Sequence, residues 1–196
     1  MLGAIIGDIV GSVYEFANTH TPDFPLFSPG CSYTDDTICT VAVADALLRR
    51  ESFGIALRRW CLRYPRPMGG YGASFSTWLR SDNPVPYNSW GNGAAMRVSP
   101  CGWAFTTEAE TFRAALASAA PTHNHPEGLI GASCVARAIF RLRTSDTDGV
   151  AALLRECYGP RPGLPAPGEF DETCRGVQLH RRHHLHRGCG RRPAAP

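Results

Sequence analysis

Residues 34–50 read TDDTICTVAVADALLRR, and the order of their side chains specifies a helix from end to end. Thr34 is a residue type that caps a helix N-terminus, and Asp35 and Asp36 follow where the first turn takes negative charge. Apolar side chains then recur with a helical period. Arg49 and Arg50 close the run at the end that attracts cations. The same grammar repeats along the chain. The spacing predicts helices over GAIIGDIVGSVYE (3–15), FGIALRRWCLRY (53–64) and TTEAETFRAALASAA (106–120). Two more are predicted over PEGLIGASCVARAIFRLR (126–143) and DTDGVAALLRECYG (146–159). Pro65 and Pro121 follow two of them, and Pro126 and Gly159 stand at a start and a stop. No stretch has the clean apolar–polar alternation of a half-buried strand, so the class is all-α. Glycine-rich loops, PMGGYGAS (67–74) and NSWGNGAAMR (88–97), separate the helices.

The chain has 196 residues, 43% of them hydrophobic, enough to bury one sizeable core. No apolar run approaches the roughly 18 residues of a membrane helix. The opening MLGAIIGDIVGSVYE has no basic n-region and carries Asp8, unlike a secretory signal. Eight scattered cysteines without a CxxC pair are expected to be reduced core residues of a cytoplasmic protein. Every one of the 20 basic residues is arginine. Residues 1–174 hold 14 of them against all 17 acids, whereas residues 175–196 hold 6 and no acid. The composition changes after Tyr158: GPRPGLPAPGEF is a connector rich in proline and glycine. The segment RGVQLHRRHHLHRGCGRRPAAP has too little apolar periodicity to bury a core and is expected to be disordered.

Several side-chain groups could carry chemistry. Asp8 and Glu15 are two helical turns apart, so a continuous helix projects both from one face. Thr34, Asp35 and Asp36 form either a dipole-matched cap or an oxygen-rich corner for a magnesium ion, which prefers compact oxygen coordination. The loop NSWGNGAAMR offers backbone N–H groups and then Arg97, a combination suited to a phosphate or diphosphate. In THNHPEG, His123 and His125 precede a helix, but no cysteine stands at zinc-ligand spacing.

Taken in order, GAIIGDIVGSVYE, YTDDT, GYGASF, GNGAAMRVSPCGW and THNHPEGLIGA resemble the motifs of the ADP-ribosylglycohydrolase family, over residues 1 to about 174. The resemblance implies a compact multi-helix fold with a pair of magnesium ions, in some members manganese, at its centre. It implies an enzyme that removes ADP-ribose from modified proteins or from small ADP-ribosyl compounds. It further implies that Thr34, Asp35 and Asp36 are metal ligands and that Glu15 and Asp36 are catalytic. Ser89, Gly91, Asn92 and His123 would then contact the substrate. Such chemistry is coherent: a carboxylate handles the proton or the water beside an oxocarbenium-like centre, and metals orient hydroxyls and activate water.

The family pattern continues into EFDETCRG (169–176) and then stops. The D-x-D-T motif that supplies the other half of the metal shell in relatives is missing. SDTDGVAA (145–152) does not replace it, because it precedes FDETC and reads as a helix start. The expected domain is therefore residues 1–174, lacking its last helices, followed by a His/Arg-rich tail over 175–196. An out-of-frame read-through of a longer gene accounts for the change of register. Two readings follow: a magnesium-dependent hydrolase impaired by the loss, or a non-catalytic remnant that binds ADP-ribose. Either would expose apolar helix faces that the missing helices cover. No membrane partner is expected. A nucleic-acid role for the basic tail is the weakest reading, since the tail has no aromatic residue to stack on bases.

Overall fold

The computed structural model describes residues 1–159. Met1–Cys157 forms one compact unit, and it carries the site. Among the described residues there are eight α-helices and no strand. They are α1 (Leu2–Gly11), α2 (Asp35–Arg49), α3 (Phe53–Arg63), α4 (Ala73–Arg80), α5 (Ser99–Ala104), α6 (Glu108–Ala119), α7 (Pro126–Arg143) and α8 (Thr147–Tyr158). Short 3₁₀ turns lie at Ser12–Tyr14 and Asn92–Ala94. The all-α class is as the sequence implies.

The local signals act as their chemistry dictates. Thr34 caps α2, its hydroxyl accepting from the Asp36 N–H, and Thr107 caps α6 by accepting from the Glu110 N–H. Pro126 occupies the first turn of α7, where its missing N–H costs nothing. Gly159 takes φ +61° after α8. Asp146 accepts from the Gly149 N–H at 2.9 Å, the ordinary cap expected of SDTDGVAA.

Helix α2 is the hub. Its Ile38, Cys39 and Ala42 join Leu57 and Cys61 of α3 and Phe75, Trp78 and Leu79 of α4 in one apolar cluster. Its Val43 joins Val98, Cys101 of α5, Ala115 and Ala119 of α6, and Ala132 and Ala136 of α7 in a second. Alanine dominates the second cluster, so α5, α6 and α7 pack at short range. Leu57 is completely buried, a contribution of about 1.5–3 kcal/mol. Cys39, Cys61, Cys101 and Cys134 are buried free thiols, the role expected of them; Cys174 and Cys189 lie outside the described residues.

Two expectations need correction. The helix predicted over 3–15 ends at Gly11, and a 3₁₀ turn carries the chain to Glu15. At three residues per turn, that segment breaks the phase which would have aligned Asp8 with Glu15. Helices α4 and α5 stand in stretches for which no helix was predicted. In α1 no residue is buried, and Leu2 and Ile6 are exposed. The proposed boundary at residue 174 and the disorder expected of 175–196 concern residues outside those described.

Candidate functional site

Asp8 is the first organising element, and it works through α2 rather than beside Glu15. Its carboxylate accepts from the Thr34 N–H at 2.9 Å and the Thr34 hydroxyl at 2.5 Å. It also accepts from the Thr37 N–H at 3.2 Å and the Thr37 hydroxyl at 2.6 Å. One anion thus satisfies two of the backbone donors at the start of α2, where the helix dipole favours negative charge. It fixes the turn that carries Asp35 and Asp36. The reading of Asp8 and Glu15 as a facing acid pair is replaced by this latch.

Thr34 is buried, and its hydroxyl donates to Asp8 while accepting from the Asp36 N–H. One lone pair on Oγ1 remains for a ligand. Asp35 and Asp36 are half-buried in the first turn. Their oxygens have the hard chemistry magnesium takes. Among the described residues, however, no group of three or more acid, histidine or cysteine side chains gathers at one point. Thr34, Asp35 and Asp36 set three oxygen-bearing side chains on consecutive residues, and a magnesium ion takes one or two carboxylates with water.

Glu15 lies against the PMGGYGAS loop. Tyr33 accepts a hydrogen bond from the Met68 N–H at 3.3 Å, tying this loop to the residue before Thr34. Gly69 has φ +77°, and a Cβ there would stand 2.8 Å from a Glu15 carboxylate oxygen. The left-handed backbone requires glycine, and the end of the Glu15 side chain fills the space its missing Cβ leaves. So Glu15, Gly69 and the TDDT turn occupy one neighbourhood, built from three separate stretches of the chain.

The second half of the site is the loop 88–97 against the segment before α7. The Asn88 N–H donates to Asn124 Oδ1 at 2.7 Å, and the Ser89 N–H to the Thr122 carbonyl at 3.3 Å. The Ser89 hydroxyl accepts from the Gly91 N–H. A Cβ on Gly93 would lie 2.9 Å from His123 Cε1 and Nε2, so the imidazole edge rests on that glycine. The structure therefore brings together Ser89, Gly91 and His123. Asn92 is exposed at the start of the 3₁₀ turn.

Two neighbours take other roles than the sequence suggested. His125 caps α7, its Nδ1 accepting from the Glu127 N–H at 3.1 Å. Arg97 does not face a phosphate. It is 1% exposed and donates through Nη2 to the Ser118 carbonyl at 2.9 Å and to Thr122 Oγ1 at 2.8 Å. Burial lowers its pKa from the usual guanidinium value, the cost of holding a cation out of water.

His123 is 5% exposed, and burial first, then the Arg97 charge, pushes its pKa down to about 4. A base whose folded pKa lies below its unfolded value of 6.5 takes up a proton on unfolding. Stability is then complete above pH 6.5 and falls as pH drops towards 4. Between pH 7 and pH 5 the loss expected from this side chain is about 2 kcal/mol, at 1.36 kcal/mol per unit below 6.5. Urea unfolding at both pH values checks it. His123→Gln should flatten the difference, and an unchanged slope in that variant would assign the pH dependence elsewhere.

The fold is all-α, with TDDT opening its central helix and a glycine loop seated on a buried histidine. The chain belongs to the ADP-ribosylglycohydrolase family, whose model matches residues 1–189. It is similar to ADP-ribosylhydrolase ARH3 of Mus musculus, 31% identical over 172 aligned residues, covering 71% of this chain and 46% of that protein. The similarity to ARH3 of Homo sapiens is 32% over the same length, covering 71% and 47%. Uncharacterized protein YegU of Escherichia coli (strain K12) is 35% identical over 174 residues, covering 72% and 52%. The chain spans about half the length of these relatives. No described helix is long and apolar enough to cross a membrane.

Proposed function

We propose that this chain binds ADP-ribose and derives from a hydrolase that removes it from proteins or small ADP-ribosyl compounds. The observation that carries this reading is the seating of loop 88–93 on His123. Ser89 and Gly91 stand beside a neutral imidazole, a set of hydrogen-bonding groups matched to diphosphate and ribose oxygens. In the proposed roles, Ser89, Gly91 and Asn92 hold the diphosphate and ribose and His123 donates to a ligand oxygen. Glu15, kept near the TDDT turn by Gly69, handles the proton or the water at the ribosyl carbon. Asp36 supports it as the second catalytic acid.

Thr34, Asp35 and Asp36 would hold magnesium, or manganese in its place, which when bound supplies charge to orient ribose hydroxyls and lower the pKa of water. Two ions 3.5–4 Å apart, the roughly typical separation, need carboxylates from more than one direction. Only one share is gathered among the described residues. The proposed reaction is therefore release of ADP-ribose wherever further carboxylates complete that shell, in a cytoplasmic setting that suits free thiols.

Calorimetric titration of the full chain with ADP-ribose, with and without magnesium, tests this. Binding that tightens with magnesium supports retained site chemistry. Weak binding indifferent to magnesium favours the non-catalytic remnant. No heat in either titration overturns the proposal.

A further inference from the structure

Arg97, Thr122 and His123 form a buried file that no motif announces. Arg97 Nη2 donates to Thr122 Oγ1 at 2.8 Å, and Thr122 Oγ1 lies 2.8 Å from His123 Nδ1. Thr122 is completely buried. Guanidinium has no acceptor, so the first bond has a fixed direction and occupies one lone pair of the threonine oxygen. If His123 Nδ1 also donated to that oxygen, the threonine proton would have to turn to the Tyr87 hydroxyl, which also pairs with Thr122. A neutral imidazole nitrogen is a much stronger acceptor than a phenol oxygen, and the phenol has a proton of its own to give to the remaining lone pair. A hydroxyl already accepting from a cation is also polarised into a better donor. The second bond therefore runs from Thr122 to Nδ1.

We infer that Arg97 and Thr122 are positioning residues that hold His123 with its proton on Nε2, aimed across Gly91 and Gly93 at a ligand oxygen. Nε2 is the atom a Cβ on Gly93 would meet at 2.9 Å and one on Gly91 at 3.9 Å. Among the described residues no acceptor takes its hydrogen. The imidazole stays uncharged beside the buried cation, so it offers one directed donor rather than a diffuse positive charge. Such a donor fits a phosphoryl or ribose oxygen. The ligand side of this inference rests on the reading of loop 88–97 as an ADP-ribose cradle; the tautomer does not.

The test is long-range proton–nitrogen correlation on the full chain with labelled histidine, His123 being identified by its loss in His123→Gln. The parent is expected to show Nε2 protonated and Nδ1 unprotonated with the shift of a hydrogen-bonded acceptor. Thr122→Val, which keeps the shape and removes the hydroxyl, should move Nδ1 to its unbonded position and admit the other tautomer. Thr122→Ser should restore the parent signals. ADP-ribose affinity should fall about tenfold in Thr122→Val, the equivalent of 1.4 kcal/mol, and recover in Thr122→Ser. Tyr87, whose ring lies 6.2 Å from that of His123, is the other polar group near this hydroxyl. Tyr87→Phe should leave the tautomer unchanged. A proton on Nδ1 in the parent, or a Thr122→Val spectrum identical to it, overturns the inference. Should Thr122→Val fail to fold, the parent tautomer and the serine variant still decide. If the imidazole signals respond but neither parent nor variants bind ADP-ribose, the positioning stands and the cradle reading falls.

Discussion

Asp8→Ala is expected to lower the unfolding free energy by about 3–4 kcal/mol, one of the larger effects available to a half-buried side chain here. Four hydrogen bonds from Thr34 and Thr37 disappear together, each worth about 1 kcal/mol net, and the start of α2 loses its compensating negative charge. The Thr34 hydroxyl is buried, so water cannot fully replace the carboxylate there. Urea denaturation reads the change as a lower midpoint with an unaltered slope. Asp8→Asn should recover only part of the loss, because the amide keeps one acceptor but turns donors towards two hydroxyls that already donate. The same variants should weaken any magnesium response, since the latch fixes the turn on which Asp35 and Asp36 stand. A loss below 1 kcal/mol in Asp8→Ala would refute the role of Asp8 as the frame of this half of the site.

That role shows where the sequence was legible and where it was not. The cap at Thr34 and the acids after it are local, and a helix start is decided within one turn, so the reading of α2 survives intact. Asp8 was misplaced because its pairing with Glu15 assumed an unbroken helical phase. The switch to 3₁₀ at Ser12–Tyr14 depends on how the chain turns back towards residues 28–34, which the local pattern does not encode. Contacts such as the Ser32 N–H to the Ser12 hydroxyl at 3.0 Å make that turn. Helix α4 was missed although Phe75, Trp78 and Leu79 have the right spacing, because eight residues supply too few turns to outweigh the flanking glycines. In α5 the stretch SPCGWA is shorter still, and packing against α7 holds it helical.

The candidate site follows the same division. Thr34, Asp35 and Asp36 were readable as a group, because they are consecutive. His123 was singled out by resemblance, not by physics: a histidine before a helix has no signature that distinguishes it from His125, which proves to be a cap. Only the close approach of Gly93 and the bond from Thr122 separate the two. Arg97 was read with the wrong sign of exposure. An arginine after a glycine-rich loop suggests an anion partner, yet the 3₁₀ turn at Asn92–Ala94 and the start of α5 rotate it inward, beside the alanine cluster.

The second large effect is at that buried cation, and two substitutions separate its contributions. Arg97→Ala should cost about 3–5 kcal/mol, because a long side chain with 1% exposure leaves a cavity and strands the Thr122 hydroxyl and the Ser118 carbonyl. Arg97→Met fills most of the same space without a charge to desolvate. Burying the guanidinium is itself unfavourable, as its lowered pKa indicates, and Nε has no hydrogen-bond partner among the described residues. Replacing such a group with an apolar side chain of similar length is often neutral or stabilising. Arg97→Met strands the same two oxygens, but relief of the unpaired buried charge offsets that cost, and the variant is expected within about 1 kcal/mol of the parent by urea denaturation. Its affinity for ADP-ribose should nevertheless fall about tenfold, because Thr122 loses the donor that orients its hydroxyl towards His123. A buried cation kept where methionine would fold as well is explained by the imidazole it directs. Equal affinity in parent and Arg97→Met would remove that explanation and leave the guanidinium as packing alone.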